Sequence, residues 1–98
     1  MPGRHRDGYE VVLTDHVFDK VRSIDMTLAE FEILLDEGEV IEETSIEEGV
    51  KELVLIMEWS RPLHVVLVVD DIREEERMVT VYEPDEDRWS PDFKVRMR

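Results

Sequence analysis

The sequence predicts an α+β fold: two N-terminal helices packed on a three- to four-stranded, mainly antiparallel sheet. Three observations carry that expectation. Thr27 with Glu30 three residues on is a capping-box pattern, and it opens onto an apolar stripe of Leu28, Phe31, Leu34 and Leu35. The second half holds ELVLIMEW, PLHVVLVVD and MVTVYE, runs rich in valine, isoleucine, leucine and aromatics. Between these runs lie the turn-like SRP and the charged DDIREEER, neither of which offers a long crossover helix, so an antiparallel meander is the economical arrangement.

Taken in order, residues 1–8 read as a flexible arm and YEVVLT as a short strand or extended lead-in. Thr14 or Asp15 then caps a first helix over DHVFDKVRSI, with Val17, Phe18, Val21 and Ile24 at helical spacing and His16 in the first turn. The second helix, from Thr27, stops near Gly38. Both helices are short, so docking of their stripes must stabilise them. EVIEE is a candidate fourth strand, and the polar SIEEGVK reads as a loop.

Strand parity locates the core. Leu63, Val65, Leu67 and Val69 are uniformly apolar, whereas the alternate positions are His64, Val66, Val68 and Asp70. The even face of ELVLIMEW is similarly mixed, with Val54 and Ile56 between Glu52 and Glu58, and Tyr82 shares parity with Thr80 and Met78. Helices on one side alone would leave the second face partly apolar, to be covered by the C-terminal segment or by a partner.

The chain has 98 residues, enough for one core without staples, and a single domain over 1–98 is expected. It contains no cysteine, excluding disulfides and thiolate metal sites and fitting a reducing compartment. MPGRHRDG has no apolar signal region and no run is long enough to span a bilayer, so the expected location is the cytoplasm. The net charge is -14, concentrated in residues 25–58, where Lys51 is the sole base among twelve acids. That balance opposes nucleic-acid affinity through bulk charge. The end reverses it: RWSPDFKVRMR carries Arg88, Lys94, Arg96 and Arg98 against Asp92, with Trp89 and Phe93 interleaved.

His5, His16 and His64 form no metal-binding motif and no glycine-rich phosphate loop is present, so neither metal nor cofactor is expected. The remaining polar candidates are His16, Lys20, Arg22, Arg61, His64, Thr80, Tyr82, Arg88, Lys94 and Arg96. His16 and Lys20 are i and i+4 on the first helix, near its positive end, and could hold a phosphate or be an ordinary surface pair. His64 is either an acid–base group or a tie between its strand end and the C-terminal segment.

Several of these residues fall in a recognisable order: DHVFDK with His16 and Lys20, a Thr-capped helix ending in DEGEVI, RPLHVV from Arg61 to Val66, and VTVYEPDEDRWSPDFKVR from Val79 to Arg96. From about Thr14 to its end the chain resembles a family of small prokaryotic proteins grouped with RelE/barnase-like ribonuclease toxins and paired with antitoxins bearing a YgiT-type (MqsA-like) zinc finger. The resemblance implies a RelE-like architecture and a toxin-like, metal-free RNA endonuclease. Carried onto this chain it points at His16, Lys20, Arg61, His64, Thr80, Tyr82 and the tail pair Trp89 and Arg96; with the tail cations Arg88 and Lys94 added, the candidate acid–base residues are His16, His64 and Tyr82 and the RNA-phosphate contacts Lys20, Arg61, Thr80, Arg88, Lys94 and Arg96. The implied partners are RNA and a zinc-finger antitoxin-like protein. This chain departs from the family in carrying Lys20 for the more frequent arginine, and Ile24–Asp25 where an Arg-Gly pair is usual. The alternative is a non-catalytic module whose apolar sheet face binds a protein or a second copy of the chain.

Overall fold

The computed structural model describes residues 8–97; the expected arm falls outside that span except for Gly8. The order is β1 (Glu10–Leu13), α1 (Asp15–Ser23), α2 (Leu28–Asp36), β2 (Glu39–Ile46), β3 (Gly49–Ile56), β4 (Leu63–Asp70) and β5 (Glu75–Tyr82). All five strands form one sheet in the order β1-β5-β4-β3-β2. This corrects the expected three- to four-stranded, mainly antiparallel sheet of RelE-like type: the sheet has five strands and is mixed. β2 to β5 form the antiparallel meander, while β1 runs parallel to β5, Glu10 beside Glu75 and Leu13 beside Met78. The parallel pair joins segments more than sixty residues apart, which no local pattern announces.

Both helices begin where their caps dictate. The Thr14 hydroxyl accepts from the Val17 N–H, and in α2 the Thr27 hydroxyl and the Glu30 carboxylate each take the other's backbone N–H. α1 ends in a turn with Asp25 left-handed at φ 58°, a conformation that glycine adopts without strain. Gly38 serves packing rather than turn geometry: a Cβ there would meet Val54 Cγ1 at 2.6 Å.

Val17 and Val21 of α1 and Phe31 and Leu35 of α2 are buried with Val54, Ile56, Leu63, Val65, Leu67, Val69, Met78 and Val81 in one core. The expected apolar side of β4 therefore faces the helices. On β3 it is the glutamate-flanked side, with Val54 and Ile56, that turns to them, because Val54 pairs with Val65 and Ile56 with Leu63.

Two bulges override simple parity. In β5, Val66 pairs with Thr80 but Leu67 pairs with Met78, so Val79 is the extra residue and Met78 lies on the face opposite Tyr82. In β2, Val40 pairs with Val54 and Glu42 with Leu53, leaving Ile41 extra. Glu39 and Glu42, three apart and otherwise on opposite faces, thus both join the second face, with Leu55 and Leu53 opposite them.

The strands also extend further than their apolar runs. Glu75, Glu76 and Arg77, read as part of a charged connection, are the first half of β5, with Glu76 fully buried. SIEEGVK is a hairpin: Glu47 and Glu48 turn, and Gly49 admits Val69 O at 2.2 Å from where a Cβ would stand.

Candidate functional site

The second face of the sheet is where most of the expected site residues meet. Beyond β5 the chain turns at Asp85–Arg88 and lays Trp89 to Met97 across the strand ends as a strap, closed on itself by bonds from Ser90 N–H to Val95 O and from Met97 N–H to Arg88 O. Trp89 is buried, its ring edge-on to His64 with centroids 4.3 Å apart, and the Arg96 guanidinium lies 4.8 Å from the Trp89 ring centre.

His64 is sealed. Its side chain has no solvent exposure, Nε2 lies 2.9 Å from Phe93 O and Nδ1 3.1 Å from the Tyr82 hydroxyl. A carbonyl can only accept, so Nε2 carries the hydrogen; the neutral ring then accepts at Nδ1 from the Tyr82 O–H. Burial holds the His64 pKa below its ordinary value, against the pull of the Phe93 carbonyl and of Glu42, with Arg96 adding to the depression. Burial likewise raises that of Tyr82, partly offset by Arg96. Phe93 is held left-handed at φ 61°, the conformation in which its carbonyl reaches the imidazole.

Four of the five expected phosphate-binding cations, Arg61, Arg88, Lys94 and Arg96, are matched with carboxylates. Arg96 makes a two-pronged contact with Glu42, Nε at 2.8 Å and Nη2 at 3.0 Å. Lys94 meets Glu39 at 3.0 Å, Arg88 meets Asp85 at 3.8 Å and Arg61 meets Glu83 at 3.9 Å. The basic tail and the acidic β2, opposite trends along the sequence, are thus partners in space. Glu39, Glu42 and Phe93 are the residues the sequence reading left out; the bulge that aligns the two glutamates has no local signal.

His16 and Lys20 stand apart. They belong to α1 in the helix layer, whereas His64, Thr80, Tyr82, Lys94 and Arg96 belong to the strap side. His16 is exposed and Lys20 half-buried. The nine expected residues therefore do not form one cluster. Beside Tyr82 lies a recess of about 630 Å³ whose lining includes Arg88, Arg96, Glu83 and Asp85, a mixture of both charges. Away from the strap, Val66, Val68 and Thr80 remain half-buried and continue the same face, flanked by Lys51 and by Arg77, which pairs with Glu75 at 2.9 Å.

Among the described residues no cluster of histidine and carboxylate side chains could hold a metal, and no helix is long and apolar enough to cross a membrane. No family model, curated protein or solved structure matches the chain.

Proposed function

We propose that the chain is a cytoplasmic protein-binding module, the toxin-side member of a toxin–antitoxin type pair, and that it contacts its partner through the open strip of the second sheet face. The pairing of Arg61, Arg88, Lys94 and Arg96 with glutamates and an aspartate carries this reading. An RNA phosphate would have to displace Glu42 from Arg96 and Glu39 from Lys94, on a molecule whose net charge is -14. A protein partner need displace nothing: Val66, Val68 and Thr80 offer a half-buried apolar strip, and the acidic surface around β2 suits a basic neighbour such as a zinc-finger antitoxin. The resemblance to antitoxin-paired proteins supports the partner's class. Its most specific motifs contribute His64, Tyr82 and Trp89, which here secure the strap.

The test is co-expression with the product of the adjacent gene, followed by light scattering of the purified material. A stoichiometric complex that Val68→Lys disrupts supports the reading. A wild-type chain that stays monomeric and captures nothing refutes it, and self-association disrupted by the same substitution replaces the antitoxin with a second copy.

One observation favours a second reading as a metal-free RNA endonuclease: the Tyr82 hydroxyl, backed by His64 and the Phe93 carbonyl, opens beside Arg88 and Arg96. There the Tyr82 oxygen would take the proton of the attacking RNA 2'-OH as its own hydrogen passes to His64 Nδ1, the same pair would return a proton to the departing 5'-oxygen, and Arg96 would stabilise the phosphate. Cleavage of RNA in the presence of a chelator, lost in a folded Tyr82→Phe protein, would establish this reading over the first.

A further inference from the structure

We propose that Trp89–Met97 is an acid-released strap: protonation of His64 loosens it from the sheet and uncovers Leu55, His64 and Tyr82. This rests on how the strap is attached and stands independently of the partner reading above.

The attachment is concentrated at one point. Of the strap residues only Trp89 is buried, and it is buried against His64; Val95 and Met97 are 62% and 48% exposed. The single Lys94–Glu39 contact lies at the surface, where such pairs are worth little, and the two-pronged Arg96–Glu42 contact is the firmer of the two ion pairs. The backbone carbonyl that reaches the sheet side chain is that of Phe93, in its left-handed conformation. Remove the fit around His64 and what remains is a short surface hairpin tied to the sheet by Arg96 and Lys94.

Protonation disturbs that fit in two ways. Nδ1 becomes a donor, so Tyr82 must turn from donor to acceptor and its own hydrogen must find another partner. A cation also forms in a sealed site, behind the Trp89 ring over which Arg96 already lies. The charged groups around it come from β2, β5 and the strap, which besides Lys94 and Arg96 carries Asp92, bonded by the Ser90 hydroxyl and the Lys94 N–H. β2 supplies Glu42 and Glu39, engaged by Arg96 and Lys94; β5 supplies Tyr82, followed by Glu83, which pairs with Arg61 before β4; β3 places uncharged Leu55 opposite His64. The Phe93 carbonyl and, after it, Glu42 are the counterweights, and burial together with Arg96 exceeds them.

The sign follows from the depressed pKa of the closed form. Once released, His64 returns to its ordinary value of 6.5, so the closed form has its full advantage above that pH. The advantage falls as pH drops below 6.5, by up to about tenfold in the closed-to-open ratio per pH unit, and levels off below the closed-form pKa.

Nuclear magnetic resonance on the whole chain tests this between pH 7.5 and 5.0. The readouts are the Trp89 indole signal, exchange protection of the Val95 and Met97 amides corrected for intrinsic rates, and titration of the His64 ring. The expected result is loss of strap protection with a midpoint below 6.5 that tracks His64, while β4 amides stay protected. His64→Gln, which keeps a donor without titrating, should abolish the transition, and Glu42→Gln should retain it. A strap that stays protected while His64 protonates overturns the proposal. So does an unchanged transition in His64→Gln; should that variant not fold, loss of the transition in Glu42→Gln overturns it equally.

Discussion

Replacing His64 with alanine measures how much of the molecule's stability depends on the strap. The ring is completely buried, makes two hydrogen bonds and stands edge-on to both Trp89 and Tyr82, with centroids 4.3 and 5.3 Å away. Each hydrogen bond contributes about 0.5–1.5 kcal/mol, and each aromatic pair adds roughly 0.5–1.5 kcal/mol beyond burial. Truncation also leaves a cavity and strands the Phe93 carbonyl and the Tyr82 hydroxyl, although the space opened toward the strap can admit water. The expected loss is about 3–5 kcal/mol, in the range of buried ring-to-alanine changes. For a domain of this size it lowers Tm by roughly 15–30 °C. Urea unfolding followed by circular dichroism provides the assay, with Trp89→Ala and the double variant completing a cycle. A coupling of about 1 kcal/mol between the two positions is expected. A loss below about 1 kcal/mol, or strict additivity with Trp89→Ala, would show that the imidazole does not hold the strap.

Three further outcomes follow from the same geometry. Asp25→Gly should stabilise by about 0.5–1 kcal/mol, since φ 58° suits glycine, and denaturant midpoints will show it. Gly38→Ala should destabilise by about 1–3 kcal/mol, because its Cβ would stand 2.6 Å from Val54 Cγ1 and 3.1 Å from Leu55 O; a neutral result would mean that α2 can withdraw from β3. The Tyr82 hydroxyl, with its pKa raised above 10.0 in the fold, favours the folded state fully below pH 10 and loses that contribution as the pH rises through the folded value. Alkaline unfolding should therefore begin later in Tyr82→Phe than in the wild type, relative to each protein's stability at pH 8.

Much of the helix layer was legible because its signals are local. Thr27 and Glu30 announce their own capping box, and Val17, Val21, Phe31 and Leu35 repeat at the period that buries one helical face. The core side of β4 was legible from alternation alone. What escaped depends on contacts remote in sequence. Glu75 to Arg77 carry no strand propensity, and form a strand because β1 and β4 pair with them from both sides. Parity placed Met78 beside Tyr82 because alternation cannot register an inserted Val79. The site was legible in its members, His64, Tyr82, Trp89 and Arg96, but not in its arrangement. The groups that fix their state are a backbone carbonyl at Phe93 and two glutamates aligned by the Ile41 bulge, and neither has a residue-type signature.

The parallel pairing of β1 with β5 has a consequence for how the chain assembles as it is made. Glu10–Leu13 is synthesised more than sixty residues ahead of its hydrogen-bonding partner, Glu75–Met78. Thr14, which caps α1, also waits for β5, since its N–H bonds to Met78 O and its hydroxyl to Val79 O. The meander of β2, β3 and β4 can form by hairpins alone as it emerges, but α1 has no completed sheet to dock on until β5 arrives. Within this sheet β1 is therefore translated before the other strands and paired last. Slowing translation beyond residue 82 will leave the meander intact while lengthening the time for which Val11, Val12 and Leu13 remain unpaired.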